Sequence, residues 1–388
     1  MKSAKKKSFL LLCIVFFFWY AQYIYIPYQT PYLAAINLST NVIGIVVSAY
    51  GLSQLFLRLP VGLLANVKEK HKIFIMLGAF FAGIASVIRI IEPNGTGFLI
   101  GNIISGFASA MWISFMVLFL GFYPKSKKGY ATSLIIMVNN LGVFLAFLTS
   151  TLLYDYIHMV GICLLSCLSG LVAFILAIKL KYPEKIHHDF NYHLLFSALC
   201  NRKLLFFSFL ALIQQGIQMS TTMSFTNQIL SDLGGSASLI GISSMVYMLS
   251  SVLFAKLAAS KWINLLSITG WVIFSFLLLA LYCILVPQVS YIYIILLLQI
   301  IPGIGTGILF SFLNFEAMVD VPSYARSAAM GLFQAIYALG MTLFPIIVGV
   351  ISLQWSMTMA YFSLAGIAII AAILSIIYWI KFKSDIVK

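Results

Sequence analysis

The sequence predicts an all-α membrane protein with twelve transmembrane helices in two pseudo-symmetric six-helix bundles, and three observations predict it. Charged residues make up 8% of the 388-residue chain and apolar ones 62%, against roughly 25% charged and 45–50% apolar in a soluble domain. Apolar runs recur along the whole chain, each long enough for a hydrocarbon layer about 30 Å thick, which takes roughly 20 residues at 1.5 Å rise. In lipid a backbone must satisfy its own hydrogen bonds, so these runs are helices. The third observation is a repeat: "YPKSKKGYATSLIIMVNNLG" from 123 returns as "VPSYARSAAMGLFQAIYALG" from 321, with Pro124/Pro322, Lys128/Arg326, Ala131/Ala329 and Gly142/Gly340 in step.

The first six spans are expected near 8–28, 41–65, 73–91, 97–122, 130–152 and 159–180. Span one follows "MKSAKKKS" but ends in "YIYIPYQTPY" rather than a small-residue cleavage site, so it reads as a retained helix and not a signal peptide. Its interior carries Trp19, Gln22 and Tyr23. Span two holds the row Tyr50, Gln54, Arg58 at helical spacing. Arg58 lies about 10 Å from the end of that span. Three readings stand for it: snorkelling to the headgroups, a gate contact, or holding an anionic substrate group. Arg89 and Glu92 flank the end of span three and read as interfacial. Span four carries Asn102 and Trp112, and span five carries Asn139 and Asn140.

A charged, polar linker at 183–203 separates an N-terminal bundle (1–182) from a C-terminal one (204–388). Its His187, His188 and His193 have no cysteine or carboxylate cluster beside them, so a solvated linker is expected rather than a metal site. The second six spans are expected near 204–224, 238–259, 262–285, 291–315, 327–351 and 357–380. In span seven, Gln214 and Gln218 share a face with Thr221, and Gln215, Gln218 and Thr222 form an overlapping stripe. Span ten carries Gln299, Asn314 and "PGIGTG". No strand precedes that glycine run, so close helix packing is its expected role rather than nucleotide binding.

The repeat extends further. "VIGIVVSAYGLSQ" (42–54) corresponds to "LIGISSMVYMLSS" (239–251), and Leu99, Asn102 and Gly106 fall on Leu296, Gln299 and Gly303. Two copies of a six-helix unit, six being even, point the same way through the membrane. Lysine and arginine mark the cytoplasmic side. All but two of the 23, the exceptions being Arg58 and Arg89, fall at the termini, in the central linker or beside the even-numbered turns. Both termini are therefore expected in the cytoplasm and the protein in the cell membrane. The net charge of +14 is this topology signal together with attraction to anionic lipid; it calls for no nucleic-acid partner. The five cysteines show no metal spacing.

Six plus six helices in parallel halves, basic turns and a basic central linker resemble the major facilitator superfamily of secondary transporters over essentially the whole chain. The loop "RLPVGLLANVKEKHK" is similar to the family's motif between helices two and three. Gly62 is kept, but Asn66 stands where the family has an aspartate that helps lock the cytoplasmic gate. Asn102 stands where some members carry an arginine linked to proton coupling, and span one lacks the carboxylate of the proton-linked exporters. The resemblance implies that helices one, four, seven and ten line a central cavity. The amides of this sequence fall mainly in those spans.

Polar side chains within spans face a bundle interior or a wet cavity. Cavity candidates are Gln22, Tyr23, Asn102, Trp112, Gln214, Gln215, Gln218, Thr221, Thr222 and Gln299. Asn102 and Gln299 are expected to face each other across the axis, the alternative being that such amides tie helices together at about 0.6 kcal/mol each. Gate or coupling candidates are Arg58, Gly62, Asn66, Glu316, Asp320 and Arg326. Either Glu316 or Asp320, with Arg58 or Arg326, carries the coupling proton, Glu316 first because no carboxylate falls nearer mid-membrane, or the protein runs as a facilitator without coupling. A small neutral or amphipathic solute is the expected substrate, with export ahead of sugar-like uptake. A non-transporting receptor is the alternative of another class. No cofactor, no metal and no enzymatic activity are expected; the partners are the solute, the bilayer and, as a co-substrate, protons, with the chain a monomer.

Overall fold

A computed structural model of the chain describes residues 2–68, 71–124, 127–180, 200–258, 266–322 and 325–386. Among them, eleven helices are long and apolar enough to span a bilayer. We label them α1 (Lys6–Ala35), α2 (Thr40–Gly62), α3 (His71–Ile91), α4 (Gly95–Gly121), α5 with α6 (together Leu134–Ile178), α7 (Arg202–Asp232), α8 (Ala237–Lys256), α9 (Ile268–Gln288), α10 (Ile292–Met318), α11 (Ala328–Gln354) and α12 (Met357–Lys381). The fifth belongs to a helix of 51 residues, about 76 Å at 1.5 Å per residue and more than twice the hydrocarbon thickness. His158, at φ 51 and ψ −170, breaks it. A non-glycine residue there is strained, and the break separates α5 (128–157) from α6 (159–178), giving twelve crossings.

Two helices run past their expected ends. α1 reaches Ala35 and α7 reaches Asp232, because Gln29, Thr30, Asn227 and Gln228 bury themselves within the protein rather than ending the helix. Most of the linker lies outside the described residues, including His187, His188 and His193, as do Glu69, Lys70 and Asn264 and the side chains of Asn66 and Arg326.

Pseudo-symmetry shows in the irregularities. α1 is interrupted at Ile24 and Tyr25, and α7 is π-helical over Thr221–Phe225 at the equivalent place. α4 is interrupted at Met111, and α10 is π-helical over Gly305–Leu309, again in register. The repeated glycines have a packing reason. A Cβ on Gly106 would strike the Tyr50 carbonyl and Ser53, and one on Gly303 would strike the Tyr247 carbonyl and Ser250, so both copies need bare backbone where α4 meets α2 and α10 meets α8.

Both termini lie at one end of the bundle, here called the terminal end. There Ser8 contacts Tyr123 at 2.9 Å, Lys72 donates to the Ile178 carbonyl at 2.9 Å, and the Phe206 and Tyr378 rings stack at 3.9 Å. The opposite end is called distal. The halves meet along two seams. α2 and α11 run antiparallel, with Thr40 near Gly349, Gly44 on Pro345, Gly51 on Met341 and Thr342, and Arg58 on Gln334. Across the axis α8 meets α5, where Gly241, the repeat partner of Gly44, packs on Thr151 and Tyr28. Large apolar side chains such as Ile370, Ile373, Ile377 and Ile380 stand exposed in a helical stripe on α12, a surface suited to lipid rather than water.

Candidate substrate cavity

A small cavity lies between the halves. Gln22, Tyr23 and Ile26 of α1 and Tyr50 of α2 form one wall; Gln215, Gln218, Met219 and Met223 of α7 and Met341 of α11 form the other. The lining therefore comes from α1, α2, α7 and α11, which corrects the expectation of one, four, seven and ten. α4 and α10 stand behind it and hold the wall in place.

Each wall is oriented from behind. Gln22 donates from Nε2 to the Ser105 carbonyl at 2.9 Å and to the Ser109 hydroxyl at 3.0 Å, both on α4, and its Oε1 has no partner. Ser109 also contacts the Tyr50 hydroxyl at 2.8 Å. In the other half, Gln214 donates to Gln218 Oε1 at 3.1 Å and to the Thr306 hydroxyl of α10 at 3.3 Å, and accepts from Gln215 at 3.0 Å. Gln214 is fully buried; it positions Gln215 and Gln218, which line the cavity. Thr221 and Thr222 do not reach the cavity. They return their hydroxyls to the Ile217 and Gln218 carbonyls inside the π-helical turn, the local bonding that bends helices. Trp112 packs edge-on against Trp19 at 5.2 Å, extending the aromatic layer behind Tyr23.

Asn102 and Gln299 do not face each other across the axis. Asn102 donates to the Val46 carbonyl at 2.8 Å and accepts from Arg89 at 2.8 Å. Gln299 donates to the Ser243 hydroxyl at 2.8 Å and accepts from Tyr282 at 3.3 Å. Val46 and Ser243 are repeat partners, so each amide performs the same task in its own half, tying the fourth helix of the unit to its second and third.

Arg89 is 1% exposed and not interfacial. Its Nη2 reaches Asn102 at 2.8 Å, Ser105 at 2.9 Å and the Tyr25 hydroxyl at 3.0 Å; Nη1 reaches Ser86 at 3.3 Å, and the guanidinium lies 3.9 Å from the Tyr25 ring centre. Neutral oxygens and a ring face supply what water would. The readable signal was an arginine inside an otherwise apolar helix.

At the terminal end Arg58 does not snorkel. It is 4% exposed, its guanidinium 4.7 Å above the Tyr337 ring centre and Nη1 3.5 Å from the Gln334 carbonyl. Gly62 is buried one turn on. Glu316 and Asp320 both meet Lys203, at 2.9 and 3.3 Å, bridging α10 to α7; the Glu316 side chain is 12% exposed and that of Asp320 58%. At the distal end the halves are joined by Thr30 to Ser224 at 3.4 Å, Tyr28 to the Ala237 carbonyl at 2.8 Å and Ser238 to Asp155 at 3.5 Å. The cavity thus has contacts between the halves on both sides of it.

The Major Facilitator Superfamily family model matches residues 11–228 and 204–385. An uncharacterised MFS-type transporter of Methanocaldococcus jannaschii is 26% identical over 337 residues, which are 81% of this chain and 83% of that one. Among solved structures, a POT family transporter in complex with a thioalcohol-conjugated peptide aligns with TM-score 0.78 at 14% identity, covering 97% of this chain and 96% of that one. The nucleoside transporter NupG aligns with TM-score 0.74 at 16% identity, covering 95% and 98%. At such identities the structural likeness carries the fold alone.

Proposed function

The chain belongs to the major facilitator superfamily and is a multi-pass membrane transporter of that type, and from this premise we propose that it moves a small amphipathic solute by alternating access. The observation that carries the reading is the cavity itself. Its walls come from both halves, its lining mixes amides and phenols with three methionines, and the halves close on each side of it. Rocking one bundle against the other would open the distal contacts or the Arg58 contact in turn. Methionines suit apolar bodies of varied shape, and Gln22, Gln215 and Gln218 suit hydrogen-bonding groups. The cation distribution supports placing the terminal end in the cytoplasm of a cell-membrane protein. Export is the first direction and uptake the second; the chain works as a monomer without nucleic acid.

Reconstituted protein tests this. Solutes found to raise the melting temperature of the purified chain should cross proteoliposome membranes. Retained binding with no flux would identify a receptor instead. Gln218→Leu is expected to weaken such a solute by about tenfold, the worth of one hydrogen bond. Gln214→Leu should do the same without touching solute, because it holds Gln215 and Gln218 in place. Wild-type saturation curves for both variants would remove these amides from the site.

Glu316 is our candidate for proton coupling. It is held by Lys203 between α10 and α7, and protonation would release that tie. A Glu316→Gln protein is expected to transport at a rate indifferent to an imposed pH gradient. If it follows the gradient as the wild type does, the proton travels elsewhere or not at all.

A further inference from the structure

Arg58 and Arg89 are both nearly inaccessible, yet they are partnered very differently. Arg89 has four oxygen acceptors. Arg58 has one carbonyl at the 3.5 Å limit and a ring face; the Nε of both arginines is without a partner. Among the described residues no carboxylate pairs with it; the ion pairs there belong to Lys203. A guanidinium carries five N–H donors in a fork matched to carboxylates and phosphates, and a buried charge so poorly compensated is costly.

The geometry connects Arg58 to the cavity. Side chains on a helix lean toward its N-terminus, which for Arg58 is the direction of Gln54 and Tyr50. Tyr337, on which the guanidinium stacks, lies one turn before Met341, and Tyr50 and Met341 both line the cavity.

We propose that Arg58 is the docking point for an anionic group on the transported solute, a small organic acid with a carboxylate or phosphate at one end and an apolar body at the other. The acid group sits on Arg58 at the terminal side of the cavity, and the apolar body lies against Met219, Met223 and Met341. The inference rests on the transport reading and sharpens it from an amphipathic solute to an anionic one.

The test uses the full chain in lipid nanodiscs and a library of matched pairs, each aryl or alkyl carboxylate with its primary amide and each phosphate monoester with its parent alcohol. The charged member of at least one pair should raise the melting temperature while its neutral twin does not, and the responding series tells carboxylate from phosphate. Arg58→Gln should weaken that ligand by roughly 10- to 100-fold, the loss expected for a charge-assisted hydrogen bond. Without ligand, Arg58→Met should melt at or above the wild-type temperature, since it removes an uncompensated charge. The proposal is overturned by equal binding of neutral twins, by anion binding that survives Arg58→Gln, by no binding in either series, or by a lowered melting temperature for ligand-free Arg58→Met. Flux of the same library through wild-type proteoliposomes separates the two readings. Neutral solutes moving while anions do not would sink the anion site alone, whereas no flux of any member would count against transport itself.

Discussion

A Thr30→Cys/Ser224→Cys protein is expected to lose net transport on oxidation and to recover it on reduction. The two hydroxyls lie 3.4 Å apart on α1 and α7, one from each half, and both residues are fully buried. Hydroxyls in contact leave the two Cβ atoms close enough for a small helix movement to bring them to the roughly 3.5–4.5 Å that a disulfide requires. A bond there would hold the distal ends together, and alternating access requires them to part. The five native cysteines are free, so each single-cysteine variant serves as the control for pairing with one of them. Undiminished flux from protein whose cross-link is verified by peptide mapping would mean that the halves do not separate at α1 and α7.

Arg89→Met is expected to destabilise the fold by roughly 3 kcal/mol or more. The substitution removes four hydrogen bonds at once. Tyr25 and Ser105 keep each other and Ser86 keeps Ser166, but the buried Asn102 Oδ1 is left without a partner, which alone costs about 1–3 kcal/mol, and the lost charge-assisted bonds add to it. Arg89→Lys should recover little, because an ammonium cannot span the same fork of oxygens. Gly101→Leu should resemble Arg89→Met, since a Cβ at Gly101 already meets Arg89 Nε at 2.8 Å and Cγ at 2.9 Å. Melting in detergent measures all three. An unchanged melting temperature for Arg89→Met would mean that the neutral oxygens do not depend on the charge they surround. Arg58→Met is expected to move the opposite way, so the pair of substitutions compares a solvated buried charge with a poorly solvated one.

Legibility differed between the scaffold and the site. The echo of 42–54 in 239–251 and of Gly106 in Gly303 was plain in the residues, and the structure gives its cause: Tyr50 with Ser53, and Tyr247 with Ser250, face the same bare glycine in each half. Gln22, Tyr23, Gln215 and Gln218 reach the cavity. Asn102, Gln214 and Gln299, of the same chemical type and in the same spans, stand behind it. A side chain's polarity records that it avoids lipid, and a cavity and a neighbouring helix satisfy that demand equally well.

Composition and periodicity alone determined that this chain is a bundle of membrane-crossing helices built twice over. The hydrocarbon layer fixes the length of each apolar run, and a duplicated gene leaves its register in the residues. Only the tertiary structure decided which face of each helix looks inward. That choice separated the solvated Arg89 from the poorly partnered Arg58 and carried α1 and α7 beyond their apparent ends. It rests on contacts between residues as far apart in the chain as Arg58 and Gln334, whose mutual approach depends on how all twelve helices pack and not on any local pattern.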